Sequence, residues 1–163
     1  MTRLRVPLGF LCAAVAFWLA RPTPRSLVLG MSVAAIGELI RVWAAGHIDK
    51  GREVTRSGPY RYLRHPLYAG STIMGLGFMI AARSLPAAIV VSVYLVVALV
   101  SVARAEEAVL DARFGGEYAA YREGRAMPSD RPFSLARVIA NREYRAVIGL
   151  VVACGLLYLR SWF

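Results

Sequence analysis

The feature that most limits what this chain can fold into is a series of apolar blocks parted by short polar connections. Leu85–Ala103 is the clearest block: it has no charged side chain and is rich in Val, Leu and Ala. Uncharged apolar runs of about 18 residues or more read as membrane spans, because a helix satisfies its own backbone where lipid cannot. Further blocks run from about Val6 to Ala20, Leu27 to Ala45 and Leu67 to Ala82, with a weaker fifth from Tyr144 to Tyr158. The expected fold is all-α: a polytopic membrane bundle of about five transmembrane helices, forming one domain over residues 1–163. Within it, the chemistry is expected in the core segment 52–121, and the helix at 144–160 is an addition. Hydrophobic residues make up 58% of the chain, and its mean hydropathy is +0.51, both high for a soluble domain.

The net charge of +10 would suggest nucleic acid in a soluble protein. Here the charges lie between apolar blocks, so anionic lipid headgroups and the excess of bases in cytoplasmic segments explain them, and no nucleic-acid partner is expected. With the N-terminus inside, the cytoplasmic segments hold fifteen basic residues. The external ones hold four: Arg21, Arg25, Arg83 and Arg160. That bias places the N-terminus, the 46–64 loop and the stretch after Arg104 on the cytoplasmic side.

The blocks differ in detail. Val6–Ala20 follows Arg3 and Arg5 and resembles a signal peptide, but it ends in Ala20-Arg21-Pro22 without a clear small-residue cleavage site and reads as a retained first helix. Cys12 and Cys154 lie inside apolar runs and read as small buried hydrophobes. Glu38 and Arg41, three apart on one helix, are expected to pair, either with Arg41 reaching the membrane surface or within a polar cavity. Gly70, Gly75 and Gly77 allow close helix approach. Gly75-Leu76-Gly77 is not a nucleotide loop, since it lies within a span and lacks the third glycine.

Beyond Arg104, carboxylates and arginines alternate with Leu110, Phe114, Tyr118 and Tyr121 at the spacing of one helical stripe. The fourth span is therefore expected to continue into the cytoplasm as a helix, broken near Gly115-Gly116. Met127–Asn141 reads as a Pro- and Arg-bearing surface segment.

The densest chemistry lies in Ser57–Gly70, SGPYRYLRHPLYAG. Pro59 and Pro66 push Gly58 and His65 out of the helical region, so a defined loop should end where a helix begins near Leu67, with Pro66 in its first turn. This His- and Tyr-rich patch and the Glu106-Glu107 patch frame a pocket at the membrane surface. Such a pocket suits a soluble cofactor on one side and a lipid-like substrate on the other. Aromatic rings can stack on a base or hold a cation, and carboxylates can accept from ammonium or hydroxyl groups. Aligning two bound reactants needs few reactive side chains. There is no zinc-type Cys/His spacing, no HExxH, no phosphate loop and no GxSxG; no metal site is expected. Read from the residues alone, His65 is as consistent with a structural histidine as with a site residue, and Glu106-Glu107 with a solvated helix face.

Both stretches match a known family. Ser57–Gly70 resembles the G-x-Y-x-x-x-R-H-P-x-Y-x-G motif of the isoprenylcysteine carboxyl methyltransferase and phospholipid methyltransferase family. Glu106–Tyr121 is similar to its second motif, E-E-x-x-L-x-x-x-F-G-x-x-Y-x-x-Y. The resemblance covers about residues 27–133. It implies an integral-membrane enzyme that moves a methyl group from S-adenosylmethionine to a lipid-like acceptor. The leading acceptor is an isoprenylcysteine carboxylate, with a phospholipid amine or a thiol as rivals. It implies that Val54, Thr55, Tyr60, His65, Pro66, Leu67, Tyr68 and Glu106 border the cofactor; Arg104 and Glu107 are the candidate catalytic residues. Carboxyl-methylating members carry an arginine four residues before the first glutamate, where this chain has Val102. Either Arg104 substitutes for it from another angle or the acceptor lacks a carboxylate. Membrane sterol reductases, which use NADPH, share a similar C-terminal half but are longer. A non-enzymatic multi-span transporter or assembly factor is the alternative of another class.

Overall fold

The computed structural model describes residues 5–49 and 52–162, and their regular structure is entirely helical. In chain order the helices are α1 (Arg5–Leu19), α2 (Pro24–Ala45), a 3₁₀ turn (Gly58–Arg61), α3 (Pro66–Ala82), α4 (Leu85–Phe114), α5 (Gly116–Arg122), α6 (Leu135–Ala140) and α7 (Tyr144–Arg160).

The closest packing joins α2 to α3, antiparallel, through paired glycines. A Cβ on Gly37 would lie 2.5 Å from the Met74 amide nitrogen and 2.6 Å from the Gly70 carbonyl oxygen. A Cβ on Gly70 would lie 2.7 Å from the Gly37 carbonyl oxygen. Gly30 and Gly77 meet in the same reciprocal way, flanked by Ala34 and Ala81. On each helix the two glycines are seven residues, or about two turns, apart, so they share one face. Such contacts bring backbones together, and lipid, being as apolar as leucine, adds little drive of its own. Gly75, expected to serve the same seam, instead receives Leu95 of α4, and Gly9 of α1 faces the Tyr94 ring of α4.

Both ends of α2 are tied down. Thr23 and Ser26 form a reciprocal cap at its start, and Ser26 Oγ also donates to the Ala81 carbonyl (3.1 Å). The Arg21 amide donates to Ala82 (2.8 Å), which fixes the short connection against the α3 terminus. At the other end, the Gly46 carbonyl accepts from the Ser134 amide and from Arg137 Nε (2.8 Å). Asn141 Nδ2 donates to the carbonyls of Ala45 and Ile48. The 127–141 segment is thus a strap across the end of α2, and it contains α6, which composition did not announce.

The Arg41 guanidinium links three helices. Its Nη2 lies 2.5 Å from Glu143 Oε1 at the start of α7, its Nε lies 3.4 Å from Glu38, and it also bonds Ser71 on α3. Glu38 and Glu143 are 5% and 6% exposed, whereas the Arg41 side chain keeps 19% of its surface open. The Glu38–Arg41 pairing follows from their spacing. Glu143 joins from a hundred residues away.

Two helices, α2 and α4, are long and apolar enough to cross a membrane; α1 and α3 are shorter apolar helices. At 1.5 Å per residue α4 is about 45 Å long, well beyond a bilayer core of about 30 Å, so its charged last third must project past it. Outward-facing Leu85, Val93 and Val97 of α4 and Val151 of α7 are all at least 60% exposed. A continuous apolar surface of this kind is costly in water and costless against lipid tails.

Two outcomes follow. An alanine in place of a helical glycine ordinarily gains about 0.5–1 kcal/mol. Gly149 of α7 meets no atom within 4 Å of its added Cβ. Thermal melts in detergent should therefore show Gly149→Ala as neutral or stabilising, and Gly37→Ala as destabilising by about 1–3 kcal/mol from overpacking. Arg41→Ala strands two buried carboxylates and should cost about 3–5 kcal/mol. Glu143→Ala leaves the Arg41–Glu38 pair intact and should cost less.

Candidate functional site

The polar cluster lies where the strap, the 3₁₀ turn and the projecting part of α4 meet. Gly58 has φ +55°, and a Cβ there would lie 2.7 Å from the His47 ring, so position 58 demands glycine on both conformational and steric grounds. His47 is fixed in turn, its Nδ1–H donating to the Trp43 carbonyl (3.0 Å). Both residues before the prolines avoid the right-handed helical region, as expected: Gly58 opens the 3₁₀ turn at positive φ, His65 is extended in φ (−130°), and α3 starts at Pro66. His65 occupies the cap position of α3 but its side chain makes no capping bond. The ring stacks on Tyr68 (centroids 5.3 Å apart, 21° between planes) and reaches across to α4.

On α4 the two adjacent glutamates take different partners. Tyr68 OH donates to Glu106 Oε2 (2.5 Å), and His65 Nε2 lies 3.0 Å from Glu107 Oε1. His65 Nδ1 is 3.9 Å from Glu106 Oε2, so the ring stands between two carboxylates. The hydrogen bond from His65 holds the Glu107 carboxyl below the usual carboxylate range. An ionised carboxylate only accepts, so Nε2 carries the proton of the neutral ring.

These groups wall a cavity of about 450 Å³, within the usual size range of small-ligand sites. Of the sequence-predicted residues, Val54, Thr55, Tyr60, His65, Tyr68 and Glu106 line it together. Pro66 and Leu67 do not; Pro66 is fully buried, and Leu67 packs on Ala44, Ile48 and Tyr60, so both support the turn from behind. Glu107 stands one position round α4 and meets the cavity only through His65. Arg104 is exposed and off the lining face, whereas Val102 is on it. The lining face of α4 runs through Val102, Glu106, Val109 and Arg113, the spacing of one helix stripe.

Sequence reasoning missed Asp49, Glu53, Arg64, Arg113 and Tyr118 as cavity residues. The stripe Leu110–Phe114–Tyr118–Tyr121 held the signal for Tyr118, because all four line the cavity even though Gly115 (φ +43°) breaks the helix between them. Tyr121 OH donates to the Tyr60 carbonyl (2.8 Å), clamping α5 onto the 3₁₀ turn, and burial pushes its phenol up to about 12. Burial likewise raises the Tyr60 and Tyr118 phenols, keeping both as neutral O–H donors. Thr55 Oγ1, Tyr60 OH and Tyr118 OH are buried without a hydrogen-bond partner among the described residues, and all three belong to cavity-lining side chains. Orphaned buried hydroxyls cost about 1–3 kcal/mol each, so three around one cavity point to a polar ligand that completes them.

An all-helical scaffold with two apolar helices long enough to cross a membrane, and a tyrosine-, histidine- and carboxylate-lined cavity, fits the class of membrane helical bundles with a cavity at one end. Residues 4–117 match the family described as phospholipid methyltransferase, and the chain belongs to that family. It is also 32% identical over 126 residues to the cobalt-zinc-cadmium resistance protein CzcN of Cupriavidus metallidurans, an overlap covering 72% of this chain and 57% of that protein. The chain thus matches little more than half of that relative's length. No solved structure gives a significant match. Among the described residues, no group of three or more His, Cys, Asp or Glu side chains is placed to hold a metal ion.

The Glu107 shift sets a pH dependence. Its folded-state value is depressed, so the stabilisation from its contact with His65 is present above the ordinary carboxylate range and is lost as pH falls through the depressed value. The difference in melting temperature between wild type and Glu107→Gln should therefore be present at about pH 7 and shrink by about pH 3. A difference that persists unchanged in acid would mean the contact is not made in solution.

Proposed function

We propose that the protein is an S-adenosylmethionine-dependent methyltransferase acting on a lipid-like acceptor, built as a single multi-pass domain with its N-terminus and cavity on the cytoplasmic side. Family membership and the asymmetry of basic residues support the reading. The observation that carries it is the set of three orphaned hydroxyls, Thr55, Tyr60 and Tyr118, around one cavity that also presents Glu106 and the stacked His65–Tyr68 pair. That donor set fits a nucleoside carrying hydroxyls, ring nitrogens and a cationic end. Bound there, S-adenosylmethionine supplies a methyl group on a positively charged sulfur. Thr55, Tyr60 and Tyr118 would hold its polar edges and Glu106 its ammonium or ribose, while the rings exclude water.

The cavity wall also bears on the acceptor. The α4 position nearest the membrane span is Val102, and Arg104 points elsewhere. Of the lining cations, Arg113 lies further along α4 from the span, and Arg64 stands two residues before α3. Arg113 is seven residues past Glu106, about 10 Å along the helix, and suits the cofactor's own carboxylate. An acceptor arriving from the bilayer therefore meets apolar residues and then carboxylates. This favours an amine, as in an aminophospholipid, over an isoprenylcysteine carboxylate.

Calorimetry in detergent tests the cofactor assignment. S-adenosylmethionine or its demethylated product should bind and NADPH should not. Tyr118→Phe should weaken binding by about 0.5–1.5 kcal/mol and Glu106→Gln by about 1.5–3 kcal/mol. Absence of binding, or unchanged affinity in both variants, would reject it.

A further inference from the structure

We infer that His65 Nδ1 is the group that takes the proton from the acceptor's ammonium, with Glu107 as its positioning residue. The inference rests on the methyltransferase reading above and deepens it. An amine in water is protonated and has no free electron pair, so it must lose a proton before it can be methylated. A carboxylate needs no such step. A proton acceptor beside the transfer site is thus a requirement of the amine chemistry.

The cavity supplies one group with the right geometry. Glu107 Oε1 accepts from Nε2–H at 3.0 Å, which fixes both the tautomer and the orientation of the ring. The lone pair of the neutral ring is then on Nδ1, on the side of Glu106, whose Oε2 lies 3.9 Å away. Glu106 Oε2 already accepts from Tyr68 OH at 2.5 Å, so that oxygen is committed. The step balances simply. The ammonium N–H bond breaks, the proton goes to Nδ1, and the electron pair stays on the amine nitrogen for attack on the methyl group. The resulting imidazolium is flanked by two carboxylates, and the ring is held flat by stacking on Tyr68. The charged or titratable groups facing it are Glu106 and Glu107 on α4, Tyr68 on α3, Arg64 beside it in the chain, Tyr60 on the 3₁₀ turn and Tyr118 on α5. The uncommitted cap position follows from the same geometry. A side chain turned back to cap α3 could not reach Glu107.

The chain has only two histidines, so nitrogen-15 NMR of the protein in detergent can read both rings without activity. His47 should appear as the Nδ1–H tautomer, in keeping with its bond to Trp43, and His65 as Nε2–H. In Glu107→Gln the His65 titration should move to lower pH, because the charge that favours its protonated form is gone. Methyl transfer to phosphatidylethanolamine in mixed micelles should fall about 100-fold or more in His65→Asn. In Glu107→Gln the acid limb of the rate profile should move to lower pH along with the NMR titration. An Nδ1–H tautomer at His65, a titration that Glu107→Gln does not move, or a His65→Asn rate profile like that of wild type would overturn the inference. So would failure of the wild type to methylate phosphatidylethanolamine. Calorimetric binding of S-adenosylmethionine, measured on the same samples, keeps the two readings separable. If binding persists while the histidine results fail, only this inference falls.

Discussion

Backbone contact between α2 and α3 at two glycine pairs is the constraint on which the rest of the molecule depends. Side chains at Gly30, Gly37, Gly70 and Gly77 would drive the helices apart by ångströms, because what they would strike is main chain rather than a flexible tip. Close approach sets the register of the two helices. That register places the end of α2, with His47 and Ile48, beside the start of α3, with His65 and Leu67. The turn between them is then confined from both sides: His47 leaves room only for glycine at 58, and Leu67 packs on Tyr60. The aromatic half of the cavity is a consequence of helix packing in the membrane-length part of the bundle.

The other half comes from helix ends and a helix overhang. α4 outruns a bilayer by about ten residues and carries Glu106 and Glu107 on the excess. The carbonyls at the end of α2 would be unsatisfied, and the strap answers them with Ser134, Arg137 and Asn141. The same strap is tied to the site loop by Arg131–Glu53 (2.6 Å) and by Arg61 with Asp130. A single segment thus ends a helix and braces a cavity wall. α3 behaves differently. His65 forgoes a cap worth about 1 kcal/mol, and its ring is held by Tyr68 and Glu107 instead. Local stability is given up at the residue around which the polar groups converge.

How much of this was legible follows from the range of each interaction. Apolar length, proline and glycine are local signals: the apolar blocks placed the long helices to within about three residues, Pro66 marked the start of α3, and Gly115-Gly116 marked the break after α4. The motif stretches gave Tyr60, His65, Tyr68 and Glu106, and the wider resemblance added Val54 and Thr55; all six line the cavity. What stayed hidden required contacts distant in sequence. Glu143 pairs with Arg41 across about a hundred residues, and nothing in the α7 pattern marks it. The strap reads as a surface segment until its donors meet the end of α2. Arg104, a candidate to substitute for the arginine that Val102 replaces, lies off the lining face on which Val102 and Glu106 stand, and only the cavity shows that. Tyr118 was legible as part of a stripe and illegible as an orphaned donor, since only the fold shows that its hydroxyl is buried without a partner.

The cavity is polarised along α4, and that polarity is the strongest link between architecture and chemistry. Toward the span its wall is Val102 and Ala105; beyond Glu106 it passes through Val109 and Leu110 to Arg113, Phe114 and, on α5, Tyr118. Two reactants of opposite solubility can enter such a site from opposite ends without sharing a path. Glu106 and His65 sit between those ends, where, on the proposed function, a cationic methyl donor and its acceptor would meet. A carboxylate there favours the donor's positive charge. A basic residue at the Val102 position, one turn away on the same α4 stripe, would oppose that effect. The apolar Val102 and the carboxylate of Glu106 are thus parts of one electrostatic arrangement.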